Sequence, residues 1–464
     1  MIQYNQIYRS SPLLLQNLLI SAYGYQWKRR RMGGVFPELY GLARDREAFT
    51  SSQWTDFQNA QLQKLLVHAF EQVPFYRTGF REAGFDGSTI RKLDTATLHR
   101  LPVLTKDALR KYGKTLLLAD NKEKKGKFFA SSGSTGTPVS IVYSPAMHQR
   151  WFAIFEARVR NWAGVNSHQP RGMIGGRRVV DSWKPEPPFY RYNFFEKQTY
   201  FSAYHISRST APDYLKGMLK HQVQYMTGYA MSNFFLARFF QETGLEAPEM
   251  KAIITSSEKL TPEMRNIFQS VYHCKTYDGW SGVEACGLIT ECEYGSLHIS
   301  PDAGLIEVLD EAMHPVGPGV EGTVYCTGFL NTDQPLIRYR IGDRIILSDT
   351  KCSCGREMPV VQEIIGRTED TVIGKDGREM VRFHNIFTGL KTVKYAQIVQ
   401  HSYDEILVRI VPDKKLAKEE TLLIRQRLES QLGNIRIFLE ETETIPLNKN
   451  GKFQAVISTV NRNS

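Results

Sequence analysis

The segment ASSGSTGTPVS, residues 130–140, combines six serine and threonine side chains with two glycines. It is followed by the apolar run VSIVYS, which predicts a short strand. Gly133 and Gly136 permit backbone conformations that let several N–H groups point toward one anion. The composition therefore suits a phosphate-binding loop, and it also suits a flexible surface turn. A Walker A loop is excluded, because no lysine follows the second glycine.

The sequence around this loop alternates helix and strand patterns. Residues 52–115 repeat apolar side chains at helical spacing up to Pro74, and Thr105 is a predicted helix cap. Between residues 250 and 345, short strands alternate with turns and one helix, which favours an α/β fold. A smaller α+β pattern begins near residue 366, and within it VQHSYDEILVRIVPD, residues 399–413, predicts a hairpin. We therefore predict a large domain over 1–366 and a small one over 367–464.

Composition and charge narrow the class of protein. The 464 residues are 42% apolar and 23% charged, which are values typical of globular chains. The net charge of +11 favours anionic partners such as nucleotides or coenzyme A, and no motif typical of nucleic-acid binding is present. No apolar run is long enough to span a bilayer. The segment SPLLLQNLLISAYGYQW, residues 11–27, predicts an amphipathic helix, and we expect a cytoplasmic protein.

Four residues in two short segments form a candidate metal site. Cys292 and His298 lie in ECEYGSLHIS, and Cys352 and Cys354 lie in KCSCGRE. Three thiolates and one imidazole leave no open coordination position on a tetrahedral ion, which predicts a structural Zn²⁺. The alternatives are that the same side chains stay free of metal, or that Cys286 replaces one ligand.

Four further motifs follow the loop in order: YDGWSGVE (277–284), IRYRIGDR (337–344), GRTED (366–370) and PLNKNGKF (446–453). Together with the loop, this order resembles the adenylate-forming superfamily, and within it the phenylacetate-CoA ligase and CapK branch. The resemblance covers nearly the whole chain. It implies an α/β protein with a large multi-subdomain N-terminal adenylation domain of β-sheets and helices. A small mobile α+β C-terminal domain would carry the catalytic lysine.

The resemblance also implies a reaction and its residues. ATP with Mg²⁺ would convert a carboxylic acid to an acyl-adenylate, with Lys452 and the Mg²⁺ ligand Glu284 as catalytic residues. The residues implied to contact ATP or AMP are Ser131, Ser132, Gly133, Ser134, Thr135, Gly136, Ser257, Glu258, Tyr277, Asp278, Ser281, Asp343 and Arg367. One position departs from many relatives, because Val283 stands before Glu284 where a hydroxyl side chain is usual.

The substrate and the acyl acceptor are less constrained. Aromatic residues are frequent between residues 187 and 235, and Tyr229 is the predicted pocket residue for a small-molecule carboxylic acid. Transfer to coenzyme A would make the protein an acid-CoA ligase, related through CapK to polysaccharide biosynthesis. Transfer to an amine would make it an amide ligase that acts on an amino acid or amino sugar. A non-catalytic anion-binding protein is a remote third possibility.

Overall fold

The structure is a computed structural model, and it describes residues 8, 10–130, 139–180, 186–367, 372–374, 379–380, 384–387, 390–413, 415–447 and 453–460. Contacts divide the chain into two compact units. The first comprises Met1–Ile341 and Ile346–Glu363, and the second comprises Gly342–Ile345 and Ile364–Ser464.

The helices and strands are numbered in chain order over the described residues. The helices are α1 Leu13–Met32, α2 Phe36–Asp45, α3 Ser51–Gln72, α4 Pro74–Glu82, α5 Gly87–Ile90, α6 Lys106–Tyr112, α7 Pro145–Phe155, α8 Ala211–Lys220, α9 Ala230–Thr243, α10 Pro262–Tyr272, α11 His384–Phe387 and α12 Lys418–Leu432. The strands are β1 Lys127–Ala130, β2 Ser140–Tyr143, β3 Arg171–Gly175, β4 Tyr190–Asn193, β5 Gln198–Ser202, β6 Tyr225–Tyr229, β7 Ala252–Ser256, β8 Lys275–Trp280, β9 Ile289–Glu291, β10 Leu297–Ile299, β11 Gly304–Leu309, β12 Glu321–Gly328, β13 Tyr339–Ser348, β14 Val360–Arg367, β15 Val372–Ile373, β16 Glu379–Met380, β17 Val393–Gln400, β18 Glu405–Pro412, β19 Arg436–Glu441 and β20 Val456–Ser458.

Local sequence explains where the N-terminal helices begin and end. Thr50 begins α3 with a capping box, in which its hydroxyl and the Gln53 side chain bond each other's backbone N–H groups. The helix ends at Gln72, and Pro74 begins α4, where a proline sacrifices no helical hydrogen bond. The predicted cap at Thr105 is confirmed, since its Oγ1 accepts a hydrogen bond of 3.2 Å from the N–H of Ala108.

Twelve strands form one sheet in the order β11-β12-β13-β14-β10-β9-β8-β7-β6-β3-β5-β4. Its neighbours β5, β3, β6, β7 and β8 are parallel, with β4 antiparallel at one edge. The parallel strands end together, since Tyr229 pairs with Ser256 and Ser256 pairs with Gly279. Ligands of such sheets bind outside the carboxyl ends of the strands, which places the candidate site there.

The second unit contains a four-stranded sheet in the order β19-β18-β17-β20. The hairpin predicted from VQHSYDEILVRIVPD is confirmed as the antiparallel pair β17 and β18. Helix α12 buries Ile424, Leu428 and Leu432, four residues apart, in a core with Ile398 and Val408. This unit is therefore a small α+β structure.

Candidate active site and metal cluster

The carboxyl ends of β6, β7 and β8 carry most of the predicted site residues of the first unit. Ser257 follows β7 directly and has a φ of +71°, a conformation that is uncommon outside glycine. Backbone strain of this kind persists only where the surrounding structure holds the residue in place, and it often occurs at functional sites. Ser257 is therefore held in a defined position beside Tyr229 and the end of β8.

Tyr229 and Glu258 lie close together at the start of α9. A carboxylate oxygen of Glu258 accepts a hydrogen bond of 2.9 Å from the N–H of Met231, in the first turn of that helix. This is a favourable place for a negative charge. Burial, and then the charge of Glu258, raises the pKa of Tyr229 to about 12. Tyr229 thus presents a neutral phenol, which suits a substrate pocket.

Tyr277 and Asp278 are neighbours in β8, so their side chains point to opposite faces of the sheet. Tyr277 is only 8% exposed. Asp278 Oδ1 accepts a hydrogen bond of 2.9 Å from the N–H of Gly279. Burial, and then the charge of Glu291, raises the pKa of Asp278 to about 6. The alternation places the two side chains on opposite faces of the strand, and their contacts with the base remain predictions from sequence.

Glu284 lies in the turn after β8 and is buried. The hydroxyl of Tyr339 lies 3.4 Å from its Oε1 and is placed to donate a hydrogen bond. In the same turn, Ser281 donates a hydrogen bond of 2.9 Å to the carbonyl of Gly287. Among the described residues, no lysine, arginine or histidine forms an ion pair with Glu284. A buried carboxylate without a cationic neighbour is costly, so this position favours a bound cation.

The hairpin β1–β2 flanks the predicted phosphate loop, and it is attached to the Glu284 turn. Ala130 pairs with Ser140, which fixes the two ends of the intervening segment. The hydroxyl of Tyr143 in β2 donates a hydrogen bond of 2.6 Å to the carbonyl of Val283. Burial, followed by the charge of Glu284, raises the pKa of Tyr143, so the hydroxyl keeps its proton and remains a donor. Glu284 therefore lies near Tyr143, which pairs with Lys127, and the loop leaves the other end of the same hairpin.

Sequence reasoning missed two buried amides that support this hairpin. Gln334 accepts a hydrogen bond of 2.7 Å from the N–H of Val142 and donates one of 3.2 Å to the carbonyl of Ser140. Asn331 donates a hydrogen bond of 3.0 Å to the carbonyl of Val142. Both belong to the polar segment NTDQP, which resembles an exposed turn in sequence. Their burial identifies them as supports of the hairpin, and burial depends on the tertiary structure rather than on the local sequence.

The remaining predicted residues lie either outside the described residues or in the second unit. Ser131, Ser132, Gly133, Ser134, Thr135, Gly136 and Lys452 lie outside the described residues. Asp343 lies in β13 with a buried side chain and belongs to the second unit, as does Arg367, the last residue of β14. Their roles remain predictions from sequence.

The four predicted metal ligands converge in the first unit. The Sγ atoms of Cys292 and Cys352 are 3.6 Å apart, and Cys354 Sγ is 3.5 Å from His298 Nε2. All four ligand atoms lie within 4.8 Å of one another. Tetrahedral zinc with bonds of about 2.3 Å to sulfur and 2.0–2.1 Å to nitrogen separates its ligand atoms by about 3.5–3.8 Å. The cluster therefore has dimensions suited to this ion.

Two similar turns present the cysteines. The N–H of Tyr294 and that of Cys354 each donate a hydrogen bond of 3.4 Å, to the Sγ of Cys292 and Cys352 respectively. Gly295 and Gly355 close these turns with φ of +87° and +77°. N–H groups that point at sulfur stabilise thiolates. Despite burial, hydrogen bonds from Ser296 and the Cys354 backbone lower the pKa of Cys352 to about 6.

The surroundings of the cluster orient its histidine. The Nδ1 of His298 lies 3.2 Å from the carbonyl of Met358, which directs Nε2 toward the thiols. Trp54, Trp162 and Met358 form the apolar wall around Cys292. Cys286 is not part of this set, because its thiol hydrogen-bonds that of Cys326 instead. The alternative in which Cys286 supplies a ligand therefore does not match the geometry.

Comparison with known proteins gives concordant matches. Residues 372–459 match the family described as the CapK C-terminal domain. Protein CapK of Staphylococcus aureus is 26% identical, over 98% of this chain and 99% of its own length. A phenylacetate-coenzyme A ligase of Thermus thermophilus is 28% identical, over 73% of this chain and 74% of its own. A crystal structure of 2-hydroxyisobutyryl-CoA ligase in its postadenylation state aligns with a TM-score of 0.70 at 20% identity, covering 89% of this chain and 91% of that one.

These matches confirm the resemblance to the phenylacetate-CoA ligase and CapK branch of the adenylate-forming superfamily. They also confirm the predicted fold class, an α/β protein with a small C-terminal domain. The predicted enzyme class, an AMP-forming acid ligase, is confirmed as well.

Proposed function

We propose that this relative of the phenylacetate-CoA ligase and CapK branch activates a carboxylic acid with ATP and transfers the acyl group to coenzyme A. The observation that carries the proposal is the attachment of the β1–β2 hairpin to the Glu284 turn through Tyr143. This contact joins the hairpin that carries the segment 131–138 to a turn whose buried carboxylate has no ion-pair partner among the described residues. A loop that donates hydrogen bonds to phosphates, together with a carboxylate that can bind a metal ion, suits a nucleotide with its divalent cation.

Glu284 would hold Mg²⁺, and its surroundings suit that role. The ion prefers oxygen ligands, and when bound it would neutralise charge on the phosphates. Tyr339 fixes one carboxylate oxygen by its hydroxyl group. The protein's contribution here is to hold the carboxylate in place, away from any competing cation in the described chain.

Two half-reactions follow from the proposal. In the first, the carboxylate oxygen of the acid attacks the α-phosphorus of ATP, and pyrophosphate leaves. In the second, the thiol of coenzyme A attacks the acyl carbon, loses its proton, and AMP leaves. Lys452 would offset the repulsion between two anions in the first step, while Ser131–Gly136 would donate hydrogen bonds to the outer phosphates. Asp343 would bind the ribose hydroxyls, and Arg367 would contact the ribose or a phosphate. Residues 1–366 and 367–464 would form the two functional domains.

The acid would bind at Tyr229, beside Glu258 and the end of β7. The buried phenol offers an apolar ring with one hydroxyl group, which suits a small, partly aromatic acid. The relatives named phenylacetate-coenzyme A ligase support an acid-CoA ligase. A link to polysaccharide biosynthesis and an amine acceptor remain predictions from the sequence.

The decisive experiment is acid-dependent exchange of pyrophosphate into ATP, measured over a panel of small acids. We expect Lys452→Ala to lower exchange by about 10²-fold or more, because it removes a charge needed in the transition state. Lys415→Ala is the matched control, since Lys415 is an exposed lysine of the same unit. Equal exchange in both variants would overturn the proposal. Adding coenzyme A or a set of amines and following AMP release then identifies the acceptor.

We also propose that Cys292, His298, Cys352 and Cys354 bind a structural Zn²⁺. The separations of 3.6 Å and 3.5 Å and the two N–H···S bonds support this ion. The site joins the β9–β10 hairpin to the connection between β13 and β14, so zinc would stabilise the fold of the first unit and would take no part in the chemistry.

Metal analysis of the purified protein tests the zinc site. We expect about one zinc per chain, lost in Cys352→Ser and kept in Cys274→Ser, a buried thiol outside the cluster. Absence of zinc from the unmodified protein after expression in zinc-supplemented medium would end this proposal and leave the ligase proposal intact.

A further inference from the structure

Helix α1 has its polar side chains inward and its apolar side chains outward. Its buried residues are Gln16, Ser21 and Gly24. The exposed large apolar residues of the helix are Leu13, Leu14, Leu15, Leu18, Leu19, Tyr23 and Tyr25, and Leu14 is 70% exposed. The predicted amphipathic helix is present, but it is inverted relative to a helix that packs on an apolar core.

The edge of the large sheet explains the inversion. Strand β4 is the last strand of that sheet, so one side of its backbone has no strand partner within the described part of the chain. Asn17 accepts a hydrogen bond of 2.9 Å from the N–H of Tyr192, and Ser21 accepts one of 3.1 Å from the N–H of Phe194. Gln16 accepts a third, of 2.6 Å, from the side chain of Arg191. The inward face of α1 must be polar because it satisfies strand backbone groups.

The position of Gly24 shows how close the polar face of α1 lies to β4. A Cβ atom at that position would lie 2.0 Å from Nδ2 of Asn193, a distance that real contacts do not reach. The helix is therefore fixed against β4 by its polar face. The exposed leucines lie away from these hydrogen bonds, and a solvent-exposed stripe of them carries a hydration cost.

The apolar surface continues onto the loop after β4. The ring of Tyr25 lies 4.9 Å from that of Phe195, centroid to centroid. Phe195 is 50% exposed and Phe194 is 57% exposed. Aromatic rings beside a leucine stripe form a contiguous apolar patch, which we call the leucine face: Leu14, Leu15, Leu18, Leu19, Tyr25, Phe194 and Phe195.

Basic residues adjoin the leucine face. Helix α1 contains no acidic residue and ends with Lys28, Arg29, Arg30 and Arg31. A guanidinium nitrogen of Arg30 donates a hydrogen bond of 3.0 Å to the carbonyl of Lys125, which brings in the segment KEKKGK, residues 122–127. Together the two segments hold eight basic residues and one acidic residue, and one of the eight, Arg31, is ion-paired with the buried Glu196. The surface is thus apolar at one end of the helix and strongly positive at the other.

We propose that the leucine face docks on the surface of a membrane that contains anionic lipids. The leucines and aromatic rings would enter the boundary between headgroups and acyl chains, while the basic residues would contact the headgroups. A second copy of this chain suits the surface less well, because it would bring two positive clusters together. The proposal is independent of the ligase activity.

The described part of the chain has no helix long and apolar enough to cross a membrane.

Flotation of the full-length protein with vesicles tests the proposal. One set contains phosphatidylcholine alone, and the other contains phosphatidylcholine mixed with phosphatidylglycerol. We expect binding to the anionic set, and a fall of about tenfold or more in the partition constant for the double variant Leu14→Ser, Leu18→Ser. The triple variant Arg29→Gln, Lys124→Gln, Lys125→Gln should lose vesicle binding to a similar degree. Added salt should weaken the binding of the unmodified protein to the anionic vesicles.

Leu422→Ser is the matched control, because Leu422 is an exposed leucine of helix α12. It should bind vesicles like the unmodified protein. Since all substituted side chains are exposed, thermal melting should stay unchanged and exclude unfolding as the cause. Equal vesicle binding by the leucine variants would overturn the proposal. The proposal would also be overturned if the protein did not bind anionic vesicles and light scattering showed a dimer that depends on the leucines.

Discussion

The cysteine and histidine cluster and the nucleotide-facing strand ends use two different constructions. The cluster takes its four ligand atoms from two short turns and strand β10 of the first unit, and these atoms lie within 4.8 Å of one another. The residues assigned to nucleotide chemistry come from the end of β7, from β8, from the Glu284 turn and, by sequence, from the segment 131–136 and the second unit. A static ion allows a closed site, whereas substrates that enter and leave require an open one assembled from distant segments.

The comparison predicts that the two sites respond differently to substitution. Loss of a cluster ligand should act on stability, since the ion would crosslink two segments without touching substrate. Loss of an active-site residue should act on rate, because its side chain is held by the sheet and contributes little to folding. Four experiments test this separation, in order of decreasing expected effect.

The largest effect is expected from Cys292→Ser. Removing one ligand should release zinc and lower the free energy of unfolding by about 4 kcal/mol, because metal binding is coupled to folding. Chemical denaturation measures this loss. Cys326→Ser is the control, since Cys326 is also fully buried but lies outside the cluster. Similar losses in the two variants would mean that the cluster behaves as ordinary buried thiols.

Glu284→Gln should act on rate. We expect pyrophosphate exchange to fall by about 10²-fold, or about 2.7 kcal/mol, because a neutral amide holds Mg²⁺ poorly. Zinc content and thermal stability should not fall. Gln72→Glu, in the N-terminal helical region, serves as a charge-change control that should leave exchange unaltered. A Glu284→Gln variant with normal exchange and normal Mg²⁺ dependence would remove the Mg²⁺ role.

Asp278 should make stability depend on pH. Burial raises its pKa to about 6 from an ordinary 3.8, so the folded state favours the neutral carboxyl group. The folded state then binds more protons than the unfolded state between these values, and stability falls as pH rises from about 4 to about 6. A pKa raised from 3.8 to about 6 corresponds to about 3 kcal/mol at most. Because solvent screens this partly exposed carboxyl group, we expect a loss of about 2 kcal/mol, which should be absent in Asp278→Asn.

Asp349→Asn supplies the control for that pH dependence, because Asp349 is exposed. Denaturation curves of all three proteins at several pH values give the comparison. If the free energy of unfolding of Asp278→Asn falls with pH as steeply as that of the unmodified protein, the titrating group is not Asp278.

The smallest effect is expected from Tyr143→Phe. It removes the hydrogen bond to Val283 while keeping the ring, at a cost of about 1 kcal/mol. We expect a fall of about fivefold in exchange and an increase in the KM for ATP, since the loop's hairpin loses its link to the Glu284 turn. Tyr403→Phe, in the second unit, is a control for loss of a hydroxyl group. Unchanged kinetics in Tyr143→Phe would show that the contact does not position the loop.

Several features of the molecule followed from sequence alone. The order of the five motifs led to the superfamily, and the spacing of Cys292, His298, Cys352 and Cys354 identified a set that the structure brings together. Local rules also predicted the Thr105 cap and the β17–β18 hairpin. Such features depend on residues close together in the chain, or on an ordered set that a whole superfamily shares.

The supporting contacts could not be predicted in this way. Tyr143 and Val283 are 140 residues apart, and Asn331 is 189 residues from Val142. No local pattern distinguishes a tyrosine that supports an active-site turn from one that fills a core. These pairings depend on which strand ends the sheet brings together.

Sequence therefore determined the class of chemistry and the ligand set, because these depend on residue type and order. Tertiary structure decided which face of α1 is buried and which residues support Glu284. The physical reason is the same in both cases: buried backbone and carboxylate groups must find polar partners, and only the folded chain determines which side chains are near enough to supply them.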